Sequence, residues 1–203
     1  FARVCIVPAS VHFRAAGDPT ATVLLNERVI PVGRLTAEHG LAAALIGEMS
    51  RLEFQGGVAL MENLEVFLNA ERIIPQLQIA LNSAGRISDR LIACLARSDF
   101  GGRVLVHLPD YDPVGLSDYF RLHRAMTGRV KLFLPADLEE RFVRFGNRDL
   151  LMRKPRNREL FAQLGAMKMP CAASARVFKL MQETGSGHKQ EELLLAPAND
   201  LQT

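Results

Sequence analysis

The sequence predicts an α/β domain built on a mostly parallel sheet with helices on both faces. Short apolar runs alternate along the chain with amphipathic segments, a pattern that is typical of βαβ units. The runs lack strict alternation of apolar and polar residues, which is typical of strands covered on both faces. A hydrophobic content of 48% over 203 residues is sufficient for one buried core.

Four apolar runs are predicted to form the core strands of this sheet. They span residues 57–61, 78–82, 103–108 and 130–134. Between and after them the sequence predicts helices over residues 64–74, 88–97, 116–126 and 137–145, the last with Asp137 as its N-cap. We therefore take residues 56–150 as the core domain of the chain.

The regions on either side of this core have different patterns. Residues 1–55 contain apolar runs at 4–7, 22–25 and 29–32 and then a helix-like stretch at 36–52, which predicts a β-rich extension with a hairpin turn at 26–28. Residues 151–203 predict a helical extension that is interrupted near Pro170 and at 184–188 and has a last helical turn at 190–196. The tail after Pro197 is predicted to be frayed.

Composition excludes several classes of protein. No apolar stretch is long enough to span a membrane, so no membrane partner is expected. The three cysteines, Cys5, Cys94 and Cys171, lie far apart in apolar surroundings, which predicts reduced core residues in a cytoplasmic protein. The chain begins with Phe1 and shows no secretory signal, and we expect it to be a fragment or a processed product.

Two carboxylates one residue apart, Asp110 and Asp112, follow the strand predicted at 103–108. Ligands bind at the C-terminal ends of strands in an open α/β sheet, and an oxygen-rich site suits Mg²⁺ or Mn²⁺. Pro113 and Gly115 fix the turn that follows. Glu62, at the end of the first core strand, is predicted to leave the same edge of the sheet. It would either bind the metal with the pair or act as a general acid or base.

Basic residues are concentrated in one window of the chain. Between residues 141 and 158, seven basic side chains accompany a single acid, Asp149, so this window carries +6 while the whole chain carries +3. Clustered cations are typical of phosphate-backbone binding, although a solvated helix face gives the same pattern. The predicted DNA contacts in this window are Arg141, Arg144, Arg148, Arg153, Lys154 and Arg156.

The order of these motifs resembles the Toprim domain of topoisomerases, primases and several nucleases. It is most similar to the branch that contains the topoisomerase VI A subunit, the meiotic double-strand-break protein and the JetD nuclease of Wadjet anti-plasmid systems. In that branch the central strand is followed by Asp-x-Asp-Pro-x-Gly or a near relative, which is similar to Asp110-Tyr-Asp112-Pro-Val-Gly115 here. Glu62-Asn63 followed by Phe67 resembles the JetD-like members.

Two further stretches extend this resemblance. The segment 83–91 resembles the glycine-containing strand-to-helix turn of the branch, with Gly85 in the turn and Arg90 on the helix. This position suits either a contact between Arg90 and a DNA phosphate or a role for Asp89 and Arg90 in capping and packing. Gln190-Glu191 resembles a late Gln-Glu motif whose glutamate adds to the metal site.

The resemblance implies a Toprim-like fold and a Mg²⁺-dependent or Mn²⁺-dependent DNA endonuclease. Its metal ligands would be Glu62, Asp110, Asp112 and Glu191, and its substrate double-stranded DNA. JetD-like proteins act with condensin-like partners in anti-plasmid defence, so such partners are also implied. Whether the chain forms a homodimer stays open.

The nucleophile separates the enzyme classes within this family. Topoisomerase-type members use a tyrosine on a separate domain, whereas the two tyrosines here, Tyr111 and Tyr119, lie in or just after the carboxylate loop. A hydrolase that uses water is therefore the predicted function. Two alternatives stay open, namely a non-catalytic DNA-binding or assembly module on a Toprim scaffold and a topoisomerase VI A-like fragment without its tyrosine domain.

Overall fold

A computed structural model describes residues 9–195 of the chain. The strands are β1 (Ala9–Ala15), β2 (Val23–Leu25), β3 (Arg28–Ile30), β4 (Ala42–Ile46), β5 (Leu52–Phe54), β6 (Val58–Met61), β7 (Ile79–Asn82), β8 (Leu105–Leu108) and β9 (Val130–Leu132). The helices are α1 (Val32–His39), α2 (Leu64–Leu68), α3 (Ala70–Ile73), α4 (Asp89–Arg97), α5 (Pro113–Ala125), α6 (Leu138–Phe145), α7 (Asp149–Met152), α8 (Pro155–Gly165) and α9 (Ala172–Thr184), followed by a 3₁₀ helix at Gln190–Leu194.

Within residues 9–195, the main sheet has six strands in the order β4-β1-β7-β6-β8-β9. Strands β7, β6, β8 and β9 are mutually parallel, and β1 runs antiparallel to both of its neighbours. Every residue of β6 and of β7 is buried. Because successive side chains of a strand point to opposite faces, both faces of the sheet are covered at its centre. The predicted α/β class with a mostly parallel sheet is confirmed.

A smaller antiparallel sheet has three strands in the order β3-β2-β5 among the described residues. The hairpin predicted around residues 26–28 is present, with Asn26 and Glu27 as the two turn residues at φ 49° and 66°. Positive φ at both central positions is the mark of a type I′ turn, which matches the twist of the two flanking strands. Asparagine adopts this conformation readily, whereas Glu27 is strained by it.

The helix predicted over residues 36–52 is wrong. Helix α1 starts earlier and ends at Gly40, which adopts a left-handed φ of 85° and lets the chain reverse. The following apolar stretch pairs with β1 as strand β4, and β5 follows it. Tertiary pairing with an available strand has overridden the helical tendency of an alanine-rich segment.

Two smaller differences concern the segments around this core. The helix predicted over residues 64–74 is divided at Asn69 into α2 and α3. Strand β1 lies inside the six-stranded sheet, so this part of the N-terminal region shares its sheet with the predicted core strands. The apolar run at 4–7 with Cys5, and the tail after Pro197, lie outside the described residues.

The register of the parallel strands sets one common edge. Met61, the last residue of β6, pairs with Asn82 of β7 and with Leu108 of β8. Residues that follow these three positions therefore leave the sheet side by side, at the C-terminal edge where α/β proteins bind ligands. Within residues 9–195, no helix combines the length and apolarity needed to cross a membrane.

Candidate functional site

The end of β6 is held in place by a buried amide of β7. The Nδ2 group of Asn82 donates to the carbonyl oxygens of Met61 at 3.2 Å and of Glu62 at 3.0 Å, and its Oδ1 accepts from the backbone N–H of Ala84 at 2.9 Å. Asn82 therefore fixes both the point at which Glu62 leaves the sheet and the turn that follows β7.

The loop after β8 positions the two aspartates differently. Asp112 is the N-cap of α5, where its Oδ1 accepts from the backbone N–H of Gly115 at 2.7 Å, and Pro113 occupies the first helical position. Asp110 Oδ1 accepts from the backbone N–H of Gln190 at 2.8 Å. The C-terminal segment thus closes over the loop, and a backbone bridge between Tyr111 and His188 strengthens that closure.

Glu62 lies half-buried among like charges. Its Oε1 atom is buried and, among the described residues, has no hydrogen-bond partner. Burial, together with the nearby charges of Asp118, Asp110 and Asp112, raises the pKa of Glu62 to about 8. Burial is also the main reason why the pKa of Asp112 is raised to about 6 and that of Asp110 is raised above its usual range. Four carboxylates therefore share one poorly solvated site.

Asp118 was missed by the sequence reasoning. It is fully buried on α5 and forms ion pairs with Arg86 at 3.1 Å and with Arg121 at 2.7 Å. The available signal was its position, because Gly115, Asp118, Tyr119 and Leu122 form the buried stripe of α5 at helical spacing. A carboxylate on an otherwise inward-facing stripe is a candidate for a functional or structural ion pair.

The Gln190-Glu191 dipeptide is brought to the same edge of the sheet. Asn63 caps α2 through its Oδ1 and donates from Nδ2 to Glu191 Oε2 at 2.8 Å. Lys189 Nζ donates to Glu191 Oε1 at 3.1 Å. Each oxygen of Glu191 thus accepts one hydrogen bond within the protein and keeps a further lone pair. Glu191 borders the carboxylate cluster.

Among the described residues, the carboxylates at this edge of the sheet do not form a complete metal site by themselves. Among residues 9–195, no group of three or more histidine, cysteine, aspartate or glutamate side chains is arranged to hold a metal ion. A ready-made protein cage is therefore not present in this part of the chain. Mg²⁺ is usually held by one or two carboxylates, several waters and substrate phosphate oxygens. The unpartnered oxygen of Glu62 and the neighbouring aspartates suit that mode of binding.

Neither tyrosine is placed as a nucleophile. Tyr111 is buried and its hydroxyl donates to the carbonyl of Phe133 at 2.8 Å. Tyr119 is buried against the ring of His107 and its hydroxyl lies 3.3 Å from Cys171 Sγ. Burial raises the pKa of both phenols far above neutrality. Both side chains are thus engaged in packing and polar contacts inside the protein.

The basic window divides into one internal and several surface residues. Arg141 is buried and donates to Asp137 and to two backbone carbonyls, so its inclusion among the DNA contacts is corrected here. Asp137 stands at the N-cap position of α6 as predicted, but its side chain binds Arg141 and makes no capping hydrogen bond. Arg90 is half-buried in the first turn of α4. The exposed cations of the window are Arg144, Arg148, Arg153, Lys154, Arg156 and Arg158.

Gly115 is expected to tolerate no side chain. A Cβ atom at this position would lie 2.2 Å from the carbonyl oxygen of Asp110 and 2.8 Å from Pro109 Cβ. Because those atoms belong to the loop itself, Gly115→Ala should displace Asp110 and lower the free energy of unfolding by about 1–3 kcal/mol. Urea denaturation of Gly115→Ala beside Gly47→Ala, which has open space around it and no left-handed φ, measures this effect. Equal midpoints for the two variants would contradict the expectation.

Two buried histidines predict a loss of stability in mild acid. Burial lowers the pKa of His107 to about 3 and, with Arg141 nearby, that of His188 to about 4. Below about pH 6.5 both rings are protonated in the unfolded chain but stay neutral in the folded chain. Each ring therefore lowers the free energy of unfolding by up to about 1.4 kcal/mol per pH unit as the pH falls towards the pKa of that ring in the folded protein.

The carboxylates with raised pKa titrate with the opposite sign in part of this pH range. The contribution of His107 is therefore measured as the difference between the wild type and His107→Phe, which share those carboxylates. Unfolding free energies of both proteins at pH 7, 6 and 5 supply the measurement. We expect the difference between them to change by at most about 1.4 kcal/mol per unit. A difference that is independent of pH would show that His107 is protonated alike in both states.

Comparison with known proteins adds no family to these observations: the chain matches no protein-family model and no curated protein.

Proposed function

We propose that this chain is a Mg²⁺-dependent DNA endonuclease of the Toprim type that hydrolyses phosphodiester bonds with water. The observation that supports this most directly is the meeting of Glu62, Asp110 and Asp112 at the C-terminal edge of parallel strands. Crowded carboxylates with an unpartnered buried oxygen are stabilised by a cation. The resemblance of the motifs to the topoisomerase VI A and JetD branch supports the same reaction class.

The roles of the residues follow from their surroundings. Asp110 and Asp112, on one short loop, would hold Mg²⁺ or Mn²⁺, and Glu62 would either complete the ligand set or exchange a proton with the attacking water or the leaving oxygen. When bound, the metal supplies charge neutralisation at the phosphate and a lowered pKa for its water. Glu191, held by Asn63 and Lys189, would act as an additional ligand.

DNA is proposed as the substrate because of the exposed cations on α6 to α8. Six exposed basic side chains with one intervening acid form a surface suited to a phosphate backbone. Water is the proposed nucleophile because both tyrosines are buried. On the resemblance alone, we further propose a cytoplasmic role in anti-plasmid defence beside condensin-like partners.

Supercoiled plasmid provides the test of this function. Purified protein would be incubated with plasmid and Mg²⁺, Mn²⁺ or a chelator, beside Asp110→Asn and Asp112→Asn. The second variant keeps the helix cap, because asparagine caps as well as aspartate does. Asp99→Asn, an exposed residue whose Oδ1 accepts from Gly101, is the matched control. We expect metal-dependent nicking or linearisation that both site variants lose and the control keeps.

Other outcomes assign the chain differently. Cleavage that persists unchanged in both site variants overturns the proposed site. Salt-sensitive DNA binding without cleavage under any metal condition favours the non-catalytic DNA-binding or assembly module. A covalent protein–DNA adduct that survives denaturation favours the topoisomerase VI A-like alternative.

A further inference from the structure

Two arginines beside the carboxylate cluster are held by a single buried aspartate. Arg86 approaches Asp118 through Nε at 3.2 Å and Nη2 at 3.1 Å. Arg121 approaches the same carboxylate through Nη1 at 2.7 Å, and that nitrogen also donates to the carbonyl of Ile87 at 2.9 Å. The side chain of Asp118 is 0% exposed. The buried carboxylate of Asp118 therefore holds both guanidinium groups in position.

The two guanidinium groups pair with two carboxylates that differ in burial. Asp118 is buried and shared by both arginines, whereas Asp89 pairs with Arg121 alone. Arg121 Nη2 also donates to Asp89 at 2.6 Å, but the Asp89 side chain is 96% exposed. An ion pair this exposed to solvent contributes little, so a competing anion can displace Asp89 from Arg121.

Arg86 and Arg121 border a groove that is open to solvent. Arg86, Ile87, Ser88, Asp89 and Arg121 line a space of about 520 Å³. The chain enters the groove through a tight turn, with Ala84 at φ 54° and Gly85 at φ 114°, which reverses the backbone directly after β7. Because β7 ends beside β6, the groove lies next to Glu62, and Arg86 is close enough to oppose the charge of the other acids there.

We propose that Arg86 and Arg121 form a binding subsite for one phosphate of the DNA backbone, with Asp118 as the positioning residue. The planar fork of arginine donates two parallel hydrogen bonds to phosphate oxygens, and prior fixation by Asp118 reduces the entropy lost on binding. The inference rests on DNA being the substrate of the proposed function. It assigns to Arg86, in the turn before α4, the phosphate contact that the sequence resemblance assigned to Arg90 in the first turn of α4.

The subsite predicts a specific change in DNA affinity without metal or cleavage. A short fluorescent DNA duplex would be titrated with protein in chelator at several salt concentrations. We expect Arg86→Gln to lower the affinity about tenfold and to reduce the slope of log K against log salt by about one, the loss of one phosphate contact. Arg86→Lys should keep the slope and recover only part of the affinity, because lysine retains the charge and lacks the fork.

Arg103→Gln is the matched control for charge. Arg103 is exposed and precedes β8, so it lies at the opposite edge of the sheet from Asp110. Thermal melting of each variant shows whether it is folded, and Asp118 keeps Arg121 as a partner in Arg86→Gln. An affinity and salt slope of Arg86→Gln equal to those of Arg103→Gln would overturn the subsite. So would the absence of any DNA binding by the wild type.

Failure of the subsite and failure of the proposed function are distinguishable. If the protein cleaves plasmid with metal but Arg86→Gln binds DNA like Arg103→Gln, the nuclease function is supported and the phosphate subsite is rejected. If no metal supports cleavage but Arg86→Gln loses affinity and slope in chelator, the phosphate subsite stands on a protein that binds DNA without cutting it.

Discussion

Replacing Glu62 with glutamine is expected to slow DNA cleavage by about 10²–10⁴-fold, the usual contribution of a general acid or base. Glutamine has the same shape but neither binds a cation strongly nor exchanges a proton. The variant should fold, because the oxygen that is changed has no hydrogen-bond partner among the described residues and lies among other acids. Initial rates of plasmid nicking in Mg²⁺, with duplex affinity measured in chelator, separate the loss of chemistry from a loss of binding.

Glu65→Gln is the control for this substitution. Glu65 is the next glutamate in the chain, is exposed on the first turn of α2 and is linked to Asn63 through its backbone N–H. Its replacement should leave the cleavage rate unchanged. A Glu62→Gln protein that cleaves at the rate of Glu65→Gln would remove Glu62 from the reaction and leave Asp110 and Asp112 as the remaining candidates.

The positions of the main acids could be predicted from sequence because they depend on local patterns. Glu62 and Asp110 each follow an apolar run, and runs that form parallel strands end at one edge of the sheet. Asp112 precedes a proline and a helix-like stretch, which is the pattern of an N-cap. The core strands and most helices could be predicted for the same reason, because hydrophobic periodicity and the residues that begin or end a helix are properties of short segments of sequence.

The remaining parts of the site depend on packing between distant segments. Arg86 and Asp118 are separated by 32 residues, and their pairing exists because α4 and α5 lie side by side. Nothing near either residue in the sequence predicts that contact. The strand β4 was missed for a related reason, because its partner β1 lies far earlier in the chain and its own composition favours a helix.

A cluster of charged residues in the sequence also does not show which of them lie on the buried side of a helix and which lie on its exposed side. Arg141 and Arg144 are three residues apart on α6, yet Arg141 is buried and Arg144 is exposed. The sequence window therefore counted as a DNA contact a residue that the fold uses internally.

Arg141→Gln is expected to lower the free energy of unfolding by about 3 kcal/mol, as for a buried ion pair that loses one partner. Arg141 donates to Asp137 at 2.8 Å and to the carbonyls of Glu192 and Leu195 at 2.7 and 3.2 Å. Glutamine is too short to reach all three acceptors. Urea denaturation of the variant beside Arg148→Gln, an exposed arginine of the same window, gives the comparison.

The variants Arg148→Gln and Arg141→Gln should differ in which property they change, DNA binding or stability. Arg148→Gln should stay within about 0.5 kcal/mol of the wild type in stability and should weaken duplex binding with a smaller salt slope. Arg141→Gln should also loosen the segment around Gln190, whose backbone N–H binds Asp110, so its cleavage should fall with its stability. If Arg141→Gln instead unfolds like the wild type and loses only DNA affinity, Arg141 returns to the DNA-binding surface and the C-terminal segment is anchored by other contacts.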